Sequence, residues 1–236
     1  MTEETAQTTT TRMKSLLRRI IPSFLLKQRG IVARLGPGAG RTYANLCLLD
    51  MLGVRTMNQR LAPPSARSFL FVCYGNIMRS AMAEFLMRKA LEEIAPGDAQ
   101  RIRIVSAGLH ANPGREAHPW AQEAAAALGV SLAQHRAKQL SREMMEQADC
   151  VFAMDFQNKA ELLTLYPDAA NKIYMLSAYA EGPWRNREIP DPYLGNLEVT
   201  LHCAKELQTC IRNLLSATVF SSSKHRRAYE EPLARR

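Results

Sequence analysis

The chain has 236 residues, 31 Lys and Arg against 22 Asp and Glu, and five cysteines. That length suits one domain of about 150 residues with appendages; an odd, unpaired cysteine set argues for a reducing compartment, and the lack of a Cys-x2-Cys pair or a His/Cys cluster predicts no metal and no cofactor. The net charge of +9 is uneven, with +8 in residues 1–67, −2 in residues 68–217 and +3 in residues 218–236, so the basic excess belongs to the ends and, without an aromatic-basic or finger motif, nucleic-acid binding is excluded as the main function.

Three parts follow in chain order: a basic extension over 1–66, an α/β domain over 67–217 and a basic disordered tail over 218–236. Residues 1–11 are polar and Thr-rich, a disordered composition. Between Arg12 and Lys27, Met13, Leu16, Leu17, Ile20, Ile21 and Phe24 recur at helical spacing among basic residues, with Pro22 as a kink. Residues 5–49 contain no acidic side chain. This pattern predicts either an interfacial helix lying on an anionic membrane through residues 12–34, or a helix packed on the domain with its basic face in water. Gly36-Pro37-Gly38-Ala39-Gly40 reads as a breaker, Tyr43 to Leu52 as a short helix, and Leu61 to Ser65 as a linker.

From Ser68 the pattern alternates. Ser68–Val72 reads as a buried strand, and Ala83, Leu86, Met87, Ala90 and Ile94 place a helix from Arg79 onward. Ile102–Ala107 is a strand, His118–Leu128 a helix ending at Gly129, and Ser141–Gln147 a short helix. Cys150–Met154 is a strand, Phe156–Leu165 a helix, Lys172–Leu176 a strand, and Asn196–Leu215 a closing helix with Cys203, Leu207 and Cys210 on its buried face. Alternation of this kind predicts a three-layer α/β domain. A parallel sheet of about four strands carries helices on both faces, flavodoxin-like, with ligands at the carboxyl ends of the strands.

Cys73 sits at such an end, opening Cys73-Tyr74-Gly75-Asn76-Ile77-Met78-Arg79-Ser80. A loop that joins a strand to a helix N-terminus aims backbone N–H groups and the positive end of the helix dipole at one point, a cradle for a phosphate-like oxyanion. The groups that hold the substrate then also activate the thiol as a nucleophile. Arg79, six residues on, has a planar fork for two oxygens. Ser80 has a hydroxyl to donate to the sulfur, and Gly75 and Asn76 tolerate the backbone angles that a tight loop needs. None of Cys47, Cys150, Cys203 or Cys210 has an arginine six residues on. Displacing an oxygen leaving group also requires a proton donor. Asp191 in Ile189-Pro190-Asp191-Pro192-Tyr193-Leu194-Gly195, its direction fixed by two prolines, supplies one on a loop after the last strand.

These segments resemble the low-molecular-weight protein tyrosine phosphatases. Val72 through Ser80 match that family's Val-Cys-x-Gly-Asn-x-x-Arg-Ser loop, and Asp191-Pro192-Tyr193 its acid motif. Val105 to Leu109, Gln134 to Leu140 and Ala153-Met154-Asp155 resemble further signatures, all in order across about residues 68 to 217. The wording is nearest the bacterial branch of capsule and exopolysaccharide synthesis. The resemblance implies that Cys73 attacks phosphorus, that Arg79 binds the phosphoryl oxygens, and that Asp191 protonates the tyrosyl oxygen and then activates water. It assigns Tyr74, Gly75, Asn76, Ile77, Met78, Arg79 and Ser80 to the phosphate loop and Asn76, Ser80, Ser106 and His135 to its support. The implied partner is a phosphotyrosine protein, a membrane tyrosine kinase of polysaccharide export, and the implied location is the cytoplasm, peripheral on the inner membrane face.

Three positions depart from the family pattern: Met78 where a second cysteine is frequent, Ala81 where proline is, and Leu194 where an aromatic is. The first bears on redox protection and the third on substrate preference. Two other functions stay open at this level. A thiol-dependent arsenate reductase shares the loop but needs two more cysteines to pass a disulfide outward, and Cys150 has no partner a few residues on. A non-catalytic phospho-binding protein would have no use for Cys73, Arg79 and Asp191 together.

Overall fold

The computed structural model describes residues 23–54, 60–182, 185 and 187–219. Most of the amphipathic run from Arg12 to Lys27, the Thr-rich start and the tail beyond 219 therefore lie outside the described residues.

Four strands, β1 Ser68–Cys73, β2 Arg103–Gly108, β3 Cys150–Ala153 and β4 Ile173–Met175, form one parallel sheet in the order β2-β1-β3-β4. This is the doubly wound flavodoxin-like order, whose switch point lies between β1 and β3. The helices are α1 Ser23–Met51, α2 Arg79–Ile94, α3 Pro96–Ala99, α4 Pro119–Ala127, α5 Arg142–Gln147, α6 Phe156–Leu165 and α7 Leu197–Ala217. Successive β1 side chains point to opposite faces. Phe69, Phe71 and Cys73 join the core under α2, α4 and α7, whereas Leu70 and Val72 join the core under α5, α6 and α1. Cys203, Leu207 and Cys210 lie buried on the inner face of α7. Local capping agrees with the expected helix starts: Ser141, Asp155 and Asn196 each accept a backbone N–H from the first turn they cap.

One expectation needs correction. The break expected over Gly36 to Gly40 is confined to one residue: only Gly36 leaves the helix, at φ 75°, and Pro37 opens a second helical stretch. Proline suits a first helical position because the missing N–H has no acceptor there. Ile31, Tyr43 and Leu46 of α1 share a core with Val72, Phe156 and Leu162, so the extension covers α6. The described helix 23–51 packs on the domain, with Arg29, Arg34 and Arg41 exposed. No helix among the described residues is long and apolar enough to cross a membrane.

The turns Pro96–Ala99 and Pro167–Lys172 were not expected. Each is too short to show a periodicity.

Candidate active site

The loop between β1 and α2 is shaped by what its carbonyls bind. Cys73 O accepts from Leu109 N at 3.0 Å, Tyr74 O from His110 N at 2.8 Å, and Ile77 O from His118 N at 2.9 Å. Asn76 O accepts from the His135 ring Nε2 at 2.6 Å. A planar trans peptide points its C=O and the following N–H in opposite directions. Drawing these four carbonyls toward neighbouring segments turns the N–H groups of Tyr74, Gly75, Ile77 and Met78 toward the loop's concave side. That side opens into a cleft of about 220 Å³ lined by Cys73, Tyr74, Ile77, Arg79, Asp191 and Tyr193.

Asn76 is the single non-glycine residue with positive φ among the described residues, at 53°, and its side chain fixes the loop from within. Nδ2 donates to Ser80 Oγ and to Ser106 Oγ, each at 2.9 Å, and Oδ1 accepts from Lys138 N at 2.8 Å. Ser106 passes its own hydrogen to Glu84 Oε2 at 2.6 Å, and Arg88 holds the other Glu84 oxygen at 2.9 Å. Ser80 Oγ accepts from Asn76, so its hydrogen is available to Cys73 Sγ, 3.0 Å away and closer than Ala107 O at 3.4 Å. Asn76 N–H also points at the sulfur, at 3.3 Å. Two donors thus converge on the sulfur and would stabilise negative charge there. Nε2 of His135 donates to Asn76 O, since a carbonyl can only accept, and burial lowers the pKa of the ring against the opposing pull of that carbonyl.

Gly75 does not play the part expected of it. It is not in the left-handed region, and a Cβ there would meet only Ile77 Cγ1, at an ordinary 3.7 Å. The glycine requirement falls on Gly108 instead, where a Cβ would stand 2.7 Å from Tyr74 O and 2.9 Å from Asn76 N. The end of β2 is bare so that the loop can lie against it.

Arg79 is buried, with 2% exposure. Nη1 donates to Asp155 Oδ2 at 2.6 Å and to Ile189 O at 3.0 Å, and Nη2 donates to Asp191 Oδ2 at 2.7 Å. Burial works against the charge, but Asp155, Asp191 and the Cys73 sulfur outweigh it and raise the guanidinium's pKa. Among the described residues these acceptors use three of five N–H donors, which leaves Nε–H and one Nη2–H for phosphoryl oxygens. The fork is therefore anchored on one side by protein and offered on the other. Asp191, 45% exposed, also caps its own turn: Oδ1 accepts from Tyr193 N at 3.2 Å.

The expected residues Cys73, Tyr74 to Ser80, Ser106, His135 and Asp191 come together at the carboxyl end of β1. Sequence reasoning missed Glu84, Asp155 as the partner of Arg79, and the aromatic rim. Asp155 lay within a quoted motif directly before an expected helix, where an Asp commonly caps, but nothing local reveals its bond to Arg79. At the rim, Tyr74 stacks on His110 at 4.6 Å, and His110 Nε2 lies 2.6 Å from Glu161 Oε2. Opposite, Tyr193 meets His118 edge-on at 5.8 Å. Leu194, beside it, is 94% exposed. No cluster among the described residues could hold a metal ion.

Residues 68–225 match the family model described as low molecular weight phosphotyrosine protein phosphatase. A probable low molecular weight protein-tyrosine-phosphatase, EpsP of Ralstonia nicotianae, is 35% identical over 54% of this chain and 79% of its own. A protein-arginine-phosphatase of Bacillus subtilis is 32% identical over 61% of this chain and 92% of its own. The crystal structure of the Erwinia amylovora tyrosine phosphatase AmsI superposes with a TM-score of 0.58 at 28% identity, covering 65% of this chain and 93% of that one.

Proposed function

The chain belongs to the low molecular weight phosphotyrosine protein phosphatase family, and on that premise we propose that it hydrolyses protein phosphotyrosine through a cysteinyl-phosphate. The observation that carries this reading is the convergence of the Cys73 sulfur, the Arg79 fork and the Asp191 carboxyl on one cleft. The Cys73 thiolate forms the S–P bond as the P–O bond to the tyrosyl oxygen breaks. Arg79 and the inward N–H groups of the loop take up charge on the equatorial oxygens, and Asp191 delivers its proton to the departing oxygen. Asp191, now a carboxylate, removes a proton from water as that water attacks phosphorus. The S–P bond breaks, Ser80 donates to the leaving sulfur, and phosphate departs.

The rim favours tyrosine over arginine as the phosphorylated residue. Tyr74 on His110 and Tyr193 on His118 offer two aromatic faces to a flat ring, and Ile77 adds an apolar wall. A guanidinium leaving group would want a second carboxylate there, but among the described residues the charged side chain that joins Asp191 and Arg79 in the lining is Arg115. Phosphate release from matched phosphotyrosine and phosphoarginine peptides tests this directly. A kcat/KM higher for phosphoarginine would overturn it. The arsenate reductase reading gains nothing from the structure, since Cys150 is fully buried within β3.

The natural substrate in this reading is a tyrosine kinase of polysaccharide export, and a Cys73→Ser protein should retain it. Exposed Arg29, Arg34 and Arg41 along α1, followed by exposed Leu48, Met51 and Leu52, suit contact with an anionic membrane where such a kinase resides. Co-sedimentation of the full chain with anionic and with neutral vesicles is the check, and equal binding to both would refute the electrostatic contact.

A further inference from the structure

Asp191 is carried on a strap, residues 188–191, that is tied down at each of its first two residues. The Glu188 carboxylate reaches across to α6, where Oε1 accepts from Phe156 N at 2.7 Å. Ile189 N donates to Met154 O at 2.8 Å, and Ile189 O accepts from Arg79 Nη1. Pro190 then fixes the backbone into Asp191. The α6 N-terminus is thus held by two carboxylates from separate segments. Asp155 Oδ1 takes the N–H of Asn158 at 2.7 Å, and Glu188 takes that of Phe156. Both N–H groups belong to the helix's first turn, which has no intrahelical acceptor, and the helix dipole favours both carboxylates.

We propose that Glu188 is a positioning residue for the acid step: its bond to the α6 N-terminus sets the height of the strap and hence the place of Asp191 over the cleft. Asp155 holds Arg79 from the same helix end, so acid and fork are registered against one rigid element. The helix end is itself backed by α1, whose Tyr43 and Leu46 share a core with Phe156. Residues 23–51 lie outside the stretch that matches the family, so the brace behind the acid strap comes from beyond the matched domain. Burial raises the pKa of Glu188 while the Phe156 N–H lowers it, a cost that a solvated surface carboxylate would not bear.

The inference rests on Asp191 being the general acid, so the test runs Asp191→Asn beside three variants of Glu188 in the full chain. Glu188→Gln keeps an acceptor at the same reach. Glu188→Asp keeps the charge but is one methylene short, and Glu188→Ala removes both. Rates are read on phenyl phosphate, a poor leaving group, and on p-nitrophenyl phosphate, a good one. Since a well-placed general acid supplies about 10²–10⁴-fold, Glu188→Asp and Glu188→Ala should lose roughly tenfold or more on phenyl phosphate and much less on the nitro ester. Glu188→Gln should stay within about threefold of the parent on both, as a neutral amide oxygen still accepts the bond. Equal losses on both esters, or Glu188→Gln failing while Glu188→Asp works, would overturn the proposal. If Asp191→Asn itself shows no leaving-group dependence, the reading of Asp191 is at fault rather than that of Glu188. Thermal unfolding of each variant separates loss of fold from misplacement, and Glu188→Asp remains decisive should Glu188→Ala not fold.

Discussion

Arg79 and Asp155 meet at 2.6 Å with both side chains buried, 76 residues apart in sequence. One Asp155 oxygen holds the guanidinium and the other caps α6. Removing a partner from a buried pair costs about 3–5 kcal/mol, because the remaining charge is left uncompensated. Asp191 still faces Arg79, so Asp155→Ala should sit near the low end of that range, with a further loss of about 1 kcal/mol from the cap. Denaturant unfolding gives the stability. The KM for aryl phosphates should rise as the fork loses its anchor, and an unchanged KM would show that Asp155 supports only the fold.

Asp191→Asn should lose about 10²-fold or more on phenyl phosphate but far less on p-nitrophenyl phosphate, whose phenolate leaves without a proton. The comparison of kcat for the two esters is the measurement. Parallel losses would point to another carboxylate as the acid.

At Asn76 the backbone and the side chain can be separated. Asn76→Gly keeps a residue suited to φ 53° but removes the bonds to Ser80, Ser106 and Lys138. Asn76→Ala removes the bonds and adds a left-handed penalty of about 1–2 kcal/mol. Both variants should be strongly impaired in kcat, and the glycine variant should be the more stable by roughly that penalty. If the two melt together, the loop has relaxed out of its left-handed turn.

Met78 stands beside Arg79, and the other buried thiols are poor attackers. Burial pushes Cys150 and Cys203 up to about 12 and raises Cys210 as well. Peroxide should therefore carry Cys73 past the sulfenic stage, with little activity recovered by dithiothreitol. Full recovery together with an intramolecular disulfide in mass spectrometry would contradict this.

Glu206 on α7 has both carboxylate oxygens buried without a hydrogen-bond partner among the described residues, and burial raises its pKa from 4.5 to about 7. A raised folded pKa means that the folded state binds more protons between those values, so its contribution is full below pH 4.5 and lost as pH rises through about 7. Glu206→Gln should raise Tm at pH 8 and leave it nearly unchanged at pH 4.5. An equal shift at both pH values would mean that the gain is packing rather than charge.

Local order in the chain was enough for much of this. A cysteine and an arginine six residues apart at a strand–helix junction mark a candidate anion loop, and the alternation of strand and helix periods implies the parallel sheet. The helix starts near Phe156 and Asn196 were legible because periodicity is a neighbour effect. Spacing could not say that Arg79 would bind Asp155, Ile189 and Asp191 together, that Gly108 rather than Gly75 would be the glycine the loop cannot replace, or that α1 would cover α6. Those relations join segments from about 30 to about 130 residues apart, and each depends on which faces the sheet order brings into contact. Sequence by itself determined the reactive groups, since their types and short spacings carry the chemistry. Only the tertiary structure decided their donors, counter-charges and supports, because these act through distances that exist only once the sheet has closed its two cores.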